Sequence, residues 1–149
     1  MKAYIAAPLF NDAEKAFNLT VDEAVRGAGF GTFLPQRDGG EAAPLVRMGM
    51  NEHEVRRRLF DLDTAAVAEC AVLVMVVDGR VPDEGACVEL GMAHALGKVC
   101  VGLQTDSRRF GGTDSNNLMV DYALTGGMVR TLPDLTALLR DVFRTLAGT

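Results

Sequence analysis

The run Ala71-Val72-Leu73-Val74-Met75-Val76-Val77, followed by Asp78-Gly79-Arg80-Val81-Pro82-Asp83-Glu84-Gly85-Ala86-Cys87-Val88-Glu89-Leu90-Gly91, decides the fold. The first part has the length and β-branched content of a strand covered on both faces. Gly79 and Pro82 then break the chain, and a helix opens at Pro82 or Asp83 with Glu89 one to two turns in. A carboxylate near a helix N-terminus, above the end of a buried parallel strand, sits where open α/β sheets bind ligands. The positive end of the helix favours the ionised form, which suits a nucleophile better than a proton donor.

Working outward, the same alternation recurs. Residues 2–8 read as a first strand and 11–27 as a helix capped by Asn11 or Asp12, with Ala13, Ala16, Phe17, Val21 and Ala24 along one face. Residues 30–34 form a short strand. Pro35-Gln36-Arg37-Asp38-Gly39-Gly40 begins a loop reaching about residue 50, and loops of that length are often functional. A helix follows from Asn51 or Glu52 to about 69, with Val55, Leu59, Leu62, Ala66 and Val67 facing inward. The helix carrying Glu89 ends at Gly97, and 99–103 is the fourth strand. Residues 104–115 are polar, with a flexible turn at Gly111-Gly112, and 118–124 is ambiguous. A fifth strand at 128–130 and a helix over 132–146 close the chain, Pro133 being tolerated in the helix's first turn. Alternating strands and helices predict a single α/β domain over 1–149, a doubly wound five-stranded parallel sheet of flavodoxin-like or Rossmann-like type.

The bulk composition narrows the function. The chain of 149 residues is 48% hydrophobic and 23% charged, as a folded globular domain should be. A net charge of −5 argues against nucleic-acid binding, because phosphate backbones need a Lys/Arg surface. Arg56-Arg57-Arg58 reads as a solvated helix face. No segment approaches the about 18 apolar residues of a membrane span, and the N-terminus is too soon broken for a signal peptide. Cys70, Cys87 and Cys100 are scattered in apolar contexts and read as buried thiols in a reducing cytoplasm. His53 and His94 form no metal-ligand spacing, so neither metal nor cofactor is expected.

Carboxylates carry the candidate chemistry. Glu89 has Gly85 and Ala93 four residues away on its helix face, and two small neighbours leave a hollow around the acid. A solvated Glu89 paired with Lys98 or Arg80 is the plain alternative. Asp83 is a natural N-cap, and a cap can still turn its second oxygen to a ligand. Asp63, on the preceding helix, is either a site acid or a partner for a nearby Arg. Asp78 either shapes the turn with Gly79 or joins it in contacting substrate. Several carboxylates near one cleft, without metal ligands or an activated Ser or Cys, favour glycosyl chemistry. Ala6-Ala7-Pro8-Leu9-Phe10 stands where a dinucleotide fold would place its glycines.

The chain resembles the nucleoside 2-deoxyribosyltransferase family. Tyr4-Ile5-Ala6-Ala7-Pro8-Leu9-Phe10, Asp63, Pro82-Asp83-Glu84-Gly85, Val88-Glu89-Leu90-Gly91 and Asn117-Leu118-Met119 carry the likeness, in that order over most of the chain. The resemblance implies a retaining double displacement with no cofactor, acting on a deoxynucleoside and a free nucleobase. Glu89 would be the nucleophile, Asp83 would contact and help protonate the leaving base, and Asp63 would orient base or nucleophile. Tyr4 would hold Glu89 and Phe10 would wall the base pocket, with Gln36 and Asp38 in a segment similar to the family's base-recognition loop. Asp78, Gly79 and Gly85 join the substrate-binding candidates. Asn117 would bind the sugar 5′-hydroxyl from a neighbouring subunit with Met119 alongside, which implies a dimer-based homo-oligomer, a hexamer.

The ending Leu146-Ala147-Gly148-Thr149 lacks the aromatic residue that family members often place in the site. A nucleoside 5′-monophosphate N-glycosidase is the nearest rival. Asn117 favours a free 5′-hydroxyl, whereas Ser115 and Arg108-Arg109 suit a phosphate. A non-catalytic nucleotide-binding domain is the reading from a different class.

Overall fold

Residues 1–40, 42–107 and 116–148 are described in a computed structural model. Glu41, Thr149 and residues 108–115 lie outside that set, and with them the Gly111-Gly112 turn, Arg108-Arg109 and Ser115. The elements run β1 (Lys2–Ala6), α1 (Asp12–Gly27), β2 (Gly31–Phe33), a π-helical turn (Pro35–Gly39), α2 (Ala42–Arg47), α3 (Glu52–Glu69), β3 (Val72–Val76), α4 (Glu84–Ala95), β4 (Val99–Leu103), α5 (Leu118–Ala123), β5 (Met128–Val129) and α6 (Leu132–Ala147). The strands form one five-stranded sheet in the order β2-β1-β3-β4-β5, with every pairing parallel. That is the flavodoxin-like doubly wound order.

Strand alternation divides the core. Ala3, Ile5, Val72, Val74, Val76, Val101 and Leu103 face α1 and α6, meeting Val21, Val25, Leu135 and Leu139. Tyr4, Ala6, Leu73, Met75, Val77 and Cys100 face the opposite way, onto α3, α4 and α5. β3 is buried along its whole length, as its unbroken apolar run predicts. Asn11, Asn51, Asp83, Asn117 and Thr131 cap α1, α3, α4, α5 and α6, each accepting from a backbone N–H of the first turn.

Four sequence expectations change. The loop after β2 contains the π-helical turn and α2, and 118–124 resolves as α5. On α3, Val55, Ala66 and Val67 are buried, but Leu62 is exposed. On α1, Ala13 and Ala16 lie outside, while Asn18 and Asp22 join Val21 and Val25 in the buried stripe. The π-helical turn serves this buried polar pair: Gln36 Oε1 accepts from Asn18, and Arg37 donates to Asp22 Oδ2.

Candidate active site

The strand order reverses direction between β1 and β3, and the site forms beyond their carboxyl ends. Tyr4, fully buried on β1, donates its hydroxyl to Glu89 Oε1 on α4 at 2.7 Å. Its ring stacks on Phe33 of β2, with centroids 5.4 Å apart and planes 11° from parallel. The phenol is thus held by a strand and an aromatic neighbour before it meets the acid. Burial and the adjacent Glu89 push the Tyr4 hydroxyl well above the usual phenol range, so it is a donor and not a base.

Burial raises the Glu89 carboxyl to about 7, the Tyr4 hydrogen bond pulls against this, and the charges of Asp63 and Asp83 add to the rise. The sequence expectation of a carboxylate held ionised by the helix end is therefore reversed. Glu89 lies beyond the first turn of α4, where the dipole acts most strongly, and desolvation wins. Asp63, on α3, is also pushed upward by burial, and its Oδ1 is buried without a hydrogen-bond partner among the described residues. Unpaired buried carboxylate oxygens are uncommon and mark places where a ligand or water can bind.

Asp63 and Glu89 line one cavity of about 280 Å3, together with Phe60, Gly85, Val88 and Met92. A second space of about 460 Å3 is lined by Pro8, Phe10, Asp78, Gly79, Asp83 and Glu84. The predicted hollow lies on the Gly85 side only, because Ala93 is fully buried in the core beneath α4. Phe60, Val88 and Met92 were not singled out as site residues. Phe60, three positions before Asp63, and Met92, three after Glu89, carried the signal of a shared helix face; Val88, adjacent to Glu89, carried none.

Asp83 uses Oδ2 to cap α4 through Ala86 N–H at 2.8 Å, and Oδ1 has no partner among the described residues. Capping and ligand contact are compatible in this geometry. Asp78 is more committed: Oδ2 accepts from the Thr105 hydroxyl at 2.6 Å and Oδ1 from Asp106 N–H at 3.2 Å. It ties the end of β3 to the segment after β4. Gly79 turns the chain at φ 104°, a conformation side chains resist, and donates its N–H to Asp106 Oδ2 at 2.9 Å.

The other candidates fall in two groups. Gln36 and Asp38 lie on the π-helical turn, where Asp38 accepts from Leu34 N–H at 2.9 Å and pairs with Arg37. Hydrogen bonds from Arg37 together with that backbone bond hold the Asp38 carboxyl below its ordinary range, against burial. Asn117 and Met119 stand apart. Asn117 caps α5 through Met119 N–H at 2.9 Å, Met119 is exposed, and neither lines the two cavities around Glu89. Among the described residues no group of three or more His, Cys, Asp or Glu is placed to hold a metal ion. No helix among them is long and apolar enough to cross a membrane.

A flavodoxin-like sheet with a tyrosine-bound carboxylate and two further acids at its switch point defines an α/β protein with a cleft suited to carboxylate chemistry. The nucleoside 2-deoxyribosyltransferase family model matches residues 3–130, so the chain belongs to that family and is an enzyme of that type. No curated protein matches it. A conserved protein from Enterococcus faecalis V583 is 25% identical, with a TM-score of 0.77 over 95% of this chain and 98% of that one. A 2-deoxyribosyltransferase from Bacillus psychrosaccharolyticus is 23% identical, with a TM-score of 0.74 over 93% of this chain and 96% of the other. A CMP N-glycosidase from Clostridium botulinum shares the fold at 15% identity, with a TM-score of 0.57 over 93% of this chain and 98% of its own.

Proposed function

We propose that the enzyme transfers a 2-deoxyribosyl group from a nucleoside to a free nucleobase through a covalent Glu89 intermediate. The Glu89 carboxyl carries this reading: it is bound by Tyr4 at 2.7 Å, poised near neutrality, and set in the wall of a cavity beside Asp63. With Oε1 tethered, Oε2 is the oxygen left to attack. An N-glycosidic bond breaks with positive charge growing on the sugar and negative charge on the base. Ionised Glu89 stabilises the first and bonds to C1′ as the C1′–N bond breaks, and the base leaves with a proton from an acidic group. A second base then attacks C1′ from the face just vacated, its N–H proton returns to the acidic group that protonated the first base, and the carboxylate departs. Asp83 Oδ1 faces the base, and Asp63, its proton held more tightly by burial, orients it.

The rival hydrolase of nucleoside 5′-monophosphates needs an anion site. Among the described residues the two cavities are lined by acids, with no Lys or Arg, which suits an unphosphorylated sugar. Deoxyinosine with added adenine should give deoxyadenosine. Equal release of hypoxanthine with and without adenine, and no deoxyadenosine, would exclude transfer. A 2-fluoro-2-deoxyarabinosyl nucleoside should leave its sugar on the peptide containing Glu89, and a label elsewhere would refute the nucleophile. Because Asn117 and Met119 line neither of these cavities, the reading includes a homo-oligomer in which a neighbour supplies them.

A further inference from the structure

We propose that Asn18 is a positioning residue for nucleobase recognition, fixing the Gln36 amide in one orientation so that it offers a set donor and acceptor. The proposal deepens the transferase reading and rests on it, since the resemblance to the transferase family is what places Gln36 in a base-recognition segment. Asn18 is 2% exposed on α1, and its Nδ2 donates to Pro8 C=O at 2.9 Å and to Gln36 Oε1 at 2.9 Å. Gln36 Nε2 in turn donates to Lys15 C=O at 2.9 Å.

The polarity of this chain of bonds has no freedom. A backbone carbonyl can only accept, so the Asn18 nitrogen must face Pro8, and its second hydrogen requires the oxygen of Gln36. Lys15 C=O at the far end requires the Gln36 nitrogen. Two backbone carbonyls thus decide both amide orientations, which an isolated side-chain amide would leave free to flip. The partly exposed Gln36 amide keeps one N–H and one lone pair for a ligand.

Asn18 ties the end of β1 to the π-helical turn. Pro8 lines the space beside Asp83, and Gln36 lies on the π-helical turn. At the other end of that turn, a Cβ on Gly39 would come within 3.1 Å of Asp63 Oδ1. One α1 turn further on, Asp22 receives Arg37 Nη1 at 2.9 Å, so successive turn residues are clamped to successive helical turns. A fixed donor–acceptor pair discriminates between bases that present an amino group and bases that present a carbonyl, whereas an amide free to flip accommodates both.

Binding of adenine and of hypoxanthine, measured by equilibrium dialysis, tests this on wild type, Asn18→Leu, Asn18→Ser, Gln36→Leu and the Asn18→Leu/Gln36→Leu double variant. The ratio of the two dissociation constants should move by about tenfold in the Asn18 variants, the worth of one hydrogen bond. In the Gln36→Leu background the Asn18 change should move it no further. A loss of packing alone would weaken both bases equally and leave the ratio unmoved. An unchanged ratio in a folded Asn18 variant, or an added shift in the double variant, overturns the proposal. If Asn18→Leu does not fold, Asn18→Ser retains a small polar group with room for water and gives the same reading. A wild type that binds both bases but never transfers deoxyribose sinks the transferase reading and leaves the ratio test standing. A wild type that binds neither base sinks both.

Discussion

Glu89 sits where its charge is costly, and the cost leaves it half-ionised near pH 7, where a nucleophile on a biological sugar has to work. The Tyr4 hydroxyl is the counterweight, because its hydrogen bond favours the carboxylate. Tyr4→Phe removes a force that lowers the Glu89 pKa, so the acidic limb of kcat/KM against pH should move upward, by about one unit. An unmoved limb would show that the group titrating there is not Glu89. The same carboxyl has a consequence for stability. A pKa raised above the unfolded value means that the folded state holds the proton more tightly, so this stability is full below about 4.5 and lost as pH rises through about 7. Glu89→Gln removes the ionisable group. It should therefore melt above wild type at pH 8, with the gain shrinking toward pH 5, while deoxyribosyl transfer falls by about a thousandfold or more. A constant difference in melting temperature across that range would contradict the burial argument.

At the level of elements, the π-helical turn shows what the sequence could and could not say. β3 was legible because seven apolar residues need cover on both faces whatever lies around them, and Asp83 and Asn11 could be read as candidate caps from local chemistry alone. Pro35-Gln36-Arg37-Asp38-Gly39-Gly40 has the composition of a loop. Its hydrogen-bonded form depends on Asn18 and Asp22, which are distant in sequence and look like surface residues until their partners are known. The inward face of α1 was misjudged for the same reason. Asp22 accepts from Arg26 and Arg37, and although burial opposes it, hydrogen bonds from Thr32, Arg26 and Arg37 hold its carboxyl below the ordinary 3.8. Asp22→Asn should cost about 1–3 kcal/mol by urea unfolding at pH 7. Because the folded pKa is depressed, that difference is present above about 3.8 and should fade as pH falls below it. A second element depends on close approach. A Cβ on Gly126 would lie 2.8 Å from Val101 Cγ2 and 3.1 Å from Cys100 C=O, so Gly126→Ala must shift the segment joining α5 to β5. About 1–3 kcal/mol of lost stability is expected in the same assay.

Across the whole molecule, the β2-β1-β3-β4-β5 order explains why one part of the site was readable and another was not. It brings Tyr4 from the first strand under Glu89 from the fourth helix, a meeting that the doubly wound order makes natural. It places Asn117 at the start of α5, which it caps, and among the described residues Asn117 lines neither cavity. Leu118 is 63%, Met119 73% and Tyr122 82% exposed, so α5 turns large apolar side chains outward next to that asparagine. Single exposed apolar residues need no explanation, but three within two helical turns beside a site candidate suit a surface covered by another subunit. If a neighbour completes each site, two inactive proteins can repair one another. Glu89→Ala lacks the proposed nucleophile and Asn117→Ala the side chain proposed to cross the interface, so each homo-oligomer should be inactive or nearly so. In a mixed pair, the subunit retaining Glu89 receives Asn117 from its Glu89→Ala neighbour and regains an intact site. Mixing the two after mild dissociation should therefore restore transfer of deoxyribose to adenine, up to about half the sites of each mixed pair by simple pairing statistics. Activity that stays at the sum of the two parents, with subunit exchange verified by native mass spectrometry, would place every catalytic group within one chain.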